Sequence, residues 1–525
     1  MLELIANLLG GVGTFILGMV LLTESLKNLA GESLKDALKK LTGGKLASIT
    51  SGFVVTATLQ SSHATILTAI GFVSAGILSF EQSIGIILGA NLGTTSTGWI
   101  VSFIGFKLSM GKIAFPLIGI GAMMKLLFKR KLGEIGLCLA GFSLLFMGID
   151  FLQVSMKGFA NVFNPSDIPT SSFINRVIIV FSGIGMTIVM QSSSAALATT
   201  LSALSEGAIH MDQACYLVIG QNIGTTLTAG IAAIGAGVPA KRTALIHIVF
   251  NVVTATIAFT IMTPLLWTLN YILSKFNLND AVTETVIFHS VFNILGIIVF
   301  FPLIGWFSER ITKLLPEEKG NPNRFLDPIL YNSSSVALDA VERSLTELFK
   351  KSINLIELNF SRKLNYGETV EEAHKYKELL KNIINFSEKI PINDSSEKDK
   401  KIKNEILHSM DHMESLLNAI IEHREIHLSK DDLRANEMKE ELLETIHRVS
   451  SDNTDGLIVS YLESKSKDLA EFRKKTRLEI LNSTSKGKLK TGEAMKEIDI
   501  VRWFDKVHYY IWRISNHLAE NKEEN

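Results

Sequence analysis

The sequence predicts an all-α fold: a polytopic membrane domain of inverted repeats with two re-entrant helical hairpins, followed by a soluble helical-bundle domain. Three observations carry that prediction. The first is where the charge lies. The 525 residues include 52 Lys or Arg and 52 Asp or Glu, a formal balance of zero. Yet residues 1–308 hold only 16 of the basic and 12 of the acidic residues, and residues 309–525 hold the other 36 and 40. A soluble surface needs roughly a quarter to a third of its residues charged, so the first part belongs in a bilayer and the second in water. The second observation is a set of long uncharged runs. The third is a self-similarity within the apolar part.

The runs Leu46–Phe80, Gln82–Phe106, Val177–Ser205, Thr243–Ser274 and Thr285–Ser308 contain no Asp, Glu, Lys or Arg. A crossing needs about 20 apolar residues, and further crossings fit at 5–26, 111–128, 134–156 and 213–236. Two runs carry a polar knot at mid-length, Gln60-Ser61-Ser62-His63 and Gln191-Ser192-Ser193-Ser194. Polar groups at that depth are tolerated only where they face protein or water, so each run is expected to enter, break at the knot and return. Seven full crossings and two hairpins then put the termini on opposite faces. The C-terminal face collects Lys27, Lys35, Lys39, Lys40, Lys45, Lys125, Lys129, Arg130, Lys131, Lys241 and Arg242. The other has Lys107, Lys112, Lys157, Arg176 and Lys275. The positive-inside bias makes the C-terminal face cytoplasmic and the N-terminus external. The first hairpin then enters from the cytoplasm and the second from outside.

The repeat is read from spacing. Gln60-Ser61-Ser62 recurs as Gln191-Ser192-Ser193, and Gly89-Ala90-Asn91-Leu92-Gly93-Thr94-Thr95 as Gly220-Gln221-Asn222-Ile223-Gly224-Thr225-Thr226, both at an offset of 131. Ser51-Gly52 and Ser182-Gly183 keep that register, and Gly18 aligns with Gly148 at 130. The repeats cover about 1–131 and 132–308. Three crossings and a hairpin in the first turn the second upside down, an architecture of secondary transporters.

Each repeat is expected to supply two broken elements, a hairpin tip and a crossing interrupted at Asn-x-Gly-Thr-Thr. Helices restarting after these breaks would aim unpaired N–H groups and positive dipole ends at one place. Ser and Thr hydroxyls and Gln amides add adaptable partners, and Gly93 and Gly224 admit close approach. Such a site suits a small oxyanion. With no Lys or Arg in either knot, its charge would be balanced by dipoles and co-bound cations. The bland alternative is that these small residues only pack helices. His247 and Asn251, like His289 and Asn293, lie four apart on one helical face, and are expected to brace the hairpins or broken crossings, with a proton path as the alternative. Asp150 and Glu206 read as interfacial carboxylates or as part of a cation path. Cys138 and Cys215 sit in apolar surroundings and suggest neither a disulfide nor a zinc site.

The paired Gln-Ser-Ser tips and Gly-x-Asn-x-Gly-Thr-Thr stretches resemble the signatures of the type II sodium-coupled phosphate cotransporter family, over roughly residues 1–308 and closest to its bacterial members. The resemblance implies that Gln60, Ser61, Ser62, Gln191, Ser192, Ser193 and Ser194 line a shared phosphate and Na+ site, completed by Asn91, Thr94, Thr95, Asn222, Thr225 and Thr226. Gln60, Ser61, Asn91, Gln191, Ser192 and Asn222 are its implied sodium ligands. His63 stands where the family's tip more often continues with Ser or Thr.

After Ser308 the composition switches. Pro316 and Gly320-Asn321-Pro322-Asn323 mark a linker over 309–331. From 332 to 525 the pattern is helical, with Leu338, Val341, Leu345 and Leu348, then Ile406, Met410, Met413, Leu416 and Leu417, at threes and fours. Breaks near 366–369, 391–397, 428–431, 451–455 and 484–492 give about six helices, or two three-helix bundles. The region resembles the PhoU-like domain of bacterial family members, whose bundles often hold metal ions. The nearest candidates here are His408, Asp411, His412, Glu414, Asp505 and His508, which depart from the usual acidic pattern; charged residues on an amphipathic helix are mostly a solvated face. A cytoplasmic regulator or assembly module, engaging a partner or a second copy, is the expected role. The leading expectation is a sodium-coupled phosphate transporter of the plasma (inner) membrane. The alternatives are transport of another oxyanion, such as sulfate or a small carboxylate, and a phosphate sensor. An enzyme is disfavoured, because no nucleophile–base pair or nucleotide-type phosphate loop is present. The near-zero charge gives no nucleic-acid signature.

Overall fold

A computed structural model describes residues 2–40, 43–107, 111–160, 168–276, 280–317, 320–361, 363–391, 397–422, 433–451 and 456–523. Among them all regular structure is helical. Two compact units divide at 317/318.

In the first unit, α1 (Leu2–Lys40) is followed by a hairpin of α2 (Lys45–Leu59) and α3 (Ser62–Ser74). Next come α4 (Phe80–Ile100), continued by a π-helical stretch Val101–Lys107, and α5 (Gly111–Leu127). The order then repeats: α6 (Arg130–Ala160), a hairpin of α7 (Phe173–Met190) and α8 (Ser193–Ser205), α9 (Met211–Ala232) and α10 (Val238–Thr260). Three helices, α11 (Met262–Ser274), α12 (Ala281–Phe300) and α13 (Ile304–Leu314), complete the unit.

Six helical stretches are long and apolar enough to cross a bilayer: Glu3–Ala30, Phe80–Phe106, Arg130–Ala160, Phe173–Met190, Val238–Thr260 and Ala281–Leu314. They make this a multi-pass membrane protein. The set differs from the seven expected crossings. α5 is shorter, and α9 is diluted by Gln221, Asn222, Thr225 and Thr226. α7 qualifies by composition although it ends at a hairpin tip. The expected crossing 243–274 is two helices, because Pro264 offers no N–H to the Thr260 carbonyl and its ring crowds that group. Asp150 lies inside α6 rather than near an end and is half-buried.

Glycines set the helix spacing. A Cβ on Gly18 would lie 2.4 Å from Leu145 N, one on Gly141 2.6 Å from Leu22 N, and one on Gly148 2.5 Å from Phe15 N. As the residue number rises along α1 it falls along α6, so these repeat-related helices run antiparallel. The two halves are inverted. Each hairpin's first helix then lies parallel to the crossing that follows it. A Cβ on Gly89 would come 1.9 Å from Ile49 O, and one on Gly220 1.9 Å from Val180 O. Gly52 with Ile86 O and Gly183 with Leu217 O, both at 2.2 Å, repeat the match. Without side chains at these points the backbones approach closely, which is how helices gain contact where lipid is as apolar as Leu. At the far end of the unit, Arg242 donates from Nε (2.9 Å) and Nη2 (2.7 Å) to Leu315 O, satisfying the carbonyl that ends α13.

Within 309–331, α13 continues to Leu314 and two 3₁₀ turns follow, Pro322–Phe325 and Pro328–Asn332. The second unit holds α14 (Ser334–Phe360), α15 (Tyr366–Glu388), α16 (Glu397–Glu422), α17 (Leu433–Ser451), α18 (Gly456–Ser485) and α19 (Thr491–Glu523). α14, α15 and α16 pack mutually, as do α17, α18 and α19, and α16 lies against α19. The apolar stripes at 338–348 and 406–417 are buried. The first break falls before 366, because Asn365 and Glu368 form a capping box that starts α15 there; the break expected at 428–431 lies outside the described residues. Among the described residues no group of three His, Cys, Asp or Glu is placed to hold a metal ion. The candidates are engaged otherwise. His408 and His412 stack on His517, with ring centroids 5.2 and 5.6 Å away. Asp505 pairs with Arg473 at 2.9 Å, buried His508 donates from Nδ1 to Phe504 O, and Asp411 and Glu414 are exposed.

Packing and burial make two behaviours testable. Gly220→Ala forces a Cβ into the Val180 carbonyl and should destabilise the protein by about 1–3 kcal/mol. Gly185→Ala on α7, with nothing within 4 Å, should not destabilise. Thermal melting in detergent compares them. In the second unit, burial holds His508 and His412 below the ordinary imidazole value of 6.5. The unfolded chain therefore binds more protons as pH falls below that value, so stability present above it is lost. The unit's melting temperature should drop between about pH 7 and 5, and His508→Gln should flatten the slope.

Candidate functional site

Both hairpins reverse at one glutamine. Gln60 has φ 55 and ψ 28, and Gln191 has φ 49 and ψ 24. A left-handed residue with a Cβ costs roughly 1–2 kcal/mol, which glycine would avoid. The strain is kept at both tips together with an amide side chain. Ser61 and Ser192 follow in extended conformation and cap the returning helices. Ser61 Oγ accepts from Ala64 N at 3.2 Å, and Ser192 Oγ from Ala195 N at 3.1 Å. Those caps satisfy the third amide of each helix. The first two, on Ser62 and His63 and on Ser193 and Ser194, have no helical acceptor and carry the positive end of the dipole.

The two tips meet at one cavity of about 90 Å³. At about 10–15 Å³ per water, it has room for several waters or a small oxyanion. Gln60, Ser61, Ser62 and His63 line it from one tip, and Gln191, Ser192, Ser193 and Ser194 from the other. Thr187, Thr225, Thr228 and His247 add polar wall, and Met19, Ile66, Leu67 and Ala229 apolar wall. None of these lining residues is Asp, Glu, Lys or Arg.

Five expected site residues, Asn91, Thr94, Thr95, Asn222 and Thr226, are not among the lining residues. The crossings do not break at Asn-x-Gly-Thr-Thr: α4 runs through from Phe80 to Ile100 and α9 from Met211 to Ala232. No backbone amides are released there. The glycines serve close packing, a Cβ on Gly93 or Gly224 meeting Thr56 or Thr187 Cβ at 2.7 Å. The threonines turn onto their own helices. Thr94 donates to Ala90 O at 3.0 Å, Thr95 to Leu92 O at 2.7 Å, and Thr226 to Ile223 O at 2.8 Å. Asn91 Nδ2 donates to Ile87 O at 2.9 Å. Asn222 is buried with Nδ2 unpaired.

A hydrogen-bonded chain joins the halves. Gln60 Nε2 donates to Ser96 Oγ at 3.0 Å, Thr97 Oγ1 donates to Gln60 Oε1 at 3.1 Å, and the Thr97 and Ser194 hydroxyls lie 3.3 Å apart. The related positions on the other side are Gln191, Leu227, Thr228 and His63. Leu227 has no hydroxyl, and Thr228 donates instead to Thr225 O at 2.8 Å. Gln60 is consequently buried, while Gln191 is exposed. The sequence reading missed Thr97, Thr187 and Thr228. The 131-residue register, carried a few residues past each motif, pairs Thr97 with Thr228 and Thr56 with Thr187.

The expected bracing by histidines is not formed among the described residues. Asn251 Nδ2 donates to His247 O and Asn293 Nδ2 to His289 O, both at 2.9 Å. Each asparagine thus closes on its own helix, and both His247 ring nitrogens lack a partner.

The sequence model of a family described as Na+/Pi-cotransporter matches residues 14–154 and 166–295. These are just over half the chain and take in parts of both repeats. The chain belongs to the Na+/Pi-cotransporter family. It is 31% identical over 309 residues to "Uncharacterized protein YqeW" of Bacillus subtilis, covering 58% of this chain and 95% of that one. It is 25% identical over 376 residues to "Putative inorganic phosphate export protein YjbB" of Salmonella typhimurium, covering 70% and 66%. A stretch of 78 residues is 42% identical to human "Sodium-dependent phosphate transport protein 2C", 14% of this chain and 13% of that one. No solved structure matches this family member.

The chain through Thr97 yields a prediction. Thr97→Val keeps the shape and removes the hydroxyl. In a double-mutant cycle with Gln60→Ala, read by thermal stability, the coupling should be about 0.5–1.5 kcal/mol. The cycle of Thr228→Val with Gln191→Ala should show none.

Proposed function

We propose that this chain is a sodium-coupled transporter of inorganic phosphate in the plasma membrane, working by alternating access, with phosphate and Na+ held between the hairpin tips. One observation carries the reading: two capped helix N-termini, one from each hairpin, face one cavity lined by no Asp, Glu, Lys or Arg. An anion there is met by the amides of Ser62, His63, Ser193 and Ser194 and by the hydroxyls of Ser61 and Ser192. With no fixed cation in the wall, charge balance falls to ions that enter with it. Carbonyls freed where α2 and α7 end, with the Gln60 and Gln191 amide oxygens, are oxygen ligands suited to Na+. The names of the YjbB and 2C relatives support phosphate as the cargo, and that of 2C supports sodium.

The excess of Lys and Arg on one set of loops supports a cytoplasmic C-terminal unit and an external N-terminus. There the second unit serves as a PhoU-like regulator or assembly module. Inward transport is the default; the export named for YjbB favours outward flux as the second reading.

Labelled phosphate uptake into proteoliposomes, with and without an imposed sodium gradient, tests this. Sodium-dependent flux abolished by Gln191→Ala or Ser192→Ala is expected. Phosphate binding without flux would instead make the protein a sensor, and sulfate competing better than phosphate would change the cargo. Loading the vesicle interior with sodium and phosphate reads the direction.

A further inference from the structure

We propose that His247 reads the hydroxyl of a hydrogen phosphate ion and thereby makes the cavity select phosphate over sulfate. This rests on the phosphate reading above. His247 is 2% exposed, lines the cavity between the tips, and has no hydrogen-bond partner on either ring nitrogen. Buried polar atoms in folded proteins are nearly always paired, and an unpaired one is destabilising. An imidazole kept in that condition at the wall of a binding cavity is matched to something that enters it.

The neighbouring wall groups show what is missing. Thr187 donates to Gln221 O, Thr225 to Asn222 O and Thr228 to Thr225 O. The tips supply backbone N–H groups, which are donors only. With their hydrogens committed, these three hydroxyl oxygens can only accept, and weakly, so the cavity pairs the donor N–H groups of the tips with alcohol oxygens as acceptors. A neutral imidazole adds both an N–H and a bare ring nitrogen, a better acceptor than an alcohol oxygen. Hydrogen phosphate is the complementary ion, because it carries oxygens that accept and at least one P–OH that donates. Sulfate at neutral pH has four oxygens and no proton. Against the ring's acceptor it presents an oxygen where a hydrogen is needed, so one pairing is lost and replaced by repulsion.

Placement supports this. The position 131 residues before His247 is Pro116, so the imidazole is not part of the duplicated scaffold, and the cavity has it on one side only. α10 packs against α3, α4, α9 and α12, and Asn251 Nδ2 closes on the His247 carbonyl at 2.9 Å. The ring therefore sits on a fixed helix rather than on a hairpin.

The test uses the full-length protein in proteoliposomes, with labelled phosphate uptake and sulfate competition for the wild type, His247→Phe and His247→Gln. In the wild type, about a hundred-fold excess of sulfate should leave uptake unchanged. His247→Phe, which keeps an aromatic ring without polar atoms, should raise the apparent KM for phosphate about ten-fold or more and let sulfate compete within a few-fold of phosphate. His247→Gln, with a donor and an acceptor on one side chain, should restore most of the discrimination. A Phe variant with wild-type selectivity, or a Gln variant no better than Phe, would overturn the role of His247 while leaving phosphate transport standing. If the Phe variant does not assemble, sulfate competition in the wild type decides: equal competition overturns the proposal. Wild-type protein that neither binds nor moves phosphate removes the phosphate reading itself.

Discussion

Inside a bilayer, a main-chain N–H or C=O without a partner has no water to turn to. This chain breaks its helices at two polar knots, and the structure answers the constraint by making the breaks face each other across shared space. The left-handed Gln60 and Gln191, the extended Ser61 and Ser192 and the unpaired first amides of α3 and α8 all follow from that arrangement. A cavity lined by hydroxyls, amides and helix ends, without Lys or Arg, is what remains when two such breaks are opposed.

Holding them opposed is a packing problem, and glycine solves it. Gly18, Gly141 and Gly148 bring α1 and α6 together antiparallel, so the halves are locked in inverted relation. Gly52, Gly89 and Gly93 seat the first hairpin on α4, and Gly183, Gly220 and Gly224 seat the second on α9. Each contact is backbone against backbone or against a threonine Cβ. Little rotamer freedom is left, and tip positions are set by rigid elements rather than by loops.

Much of this was legible in the residues. The Gln-Ser-Ser tips announced the hairpins because a bilayer tolerates four polar residues at mid-depth in few arrangements, and the register of 131 announced the inverted halves. The Gly-x-Asn-x-Gly-Thr-Thr stretches misled, because a glycine that lets a helix break and a glycine that lets two helices touch look the same in one dimension. Only the positions of Ile49 and Val180 carbonyls tell them apart. The break at Ile261 was hidden inside an uncharged run, although Pro264 was its cause. Histidines four residues from asparagines suggested bracing, but an amide beside a helical carbonyl satisfies itself locally. In the second unit the apolar stripes were legible as helices, whereas the stacking of His408 and His412 on His517 joins residues from distant helices and left no local pattern.

The tips share a scaffold but not a condition: Gln60 is tied through Thr97 to Ser194, while Gln191 is untied and open to solvent. Were the halves to trade conformations, the protein would open on its opposite side. Leu227 lacks the hydroxyl that Ser96 offers to Gln60, and His63 stands where Ser194 does, so a traded form would lose the amide-to-hydroxyl link, worth about 1 kcal/mol. If the protein alternates as proposed, its two end states would not be isoenergetic, and the empty form would favour one side.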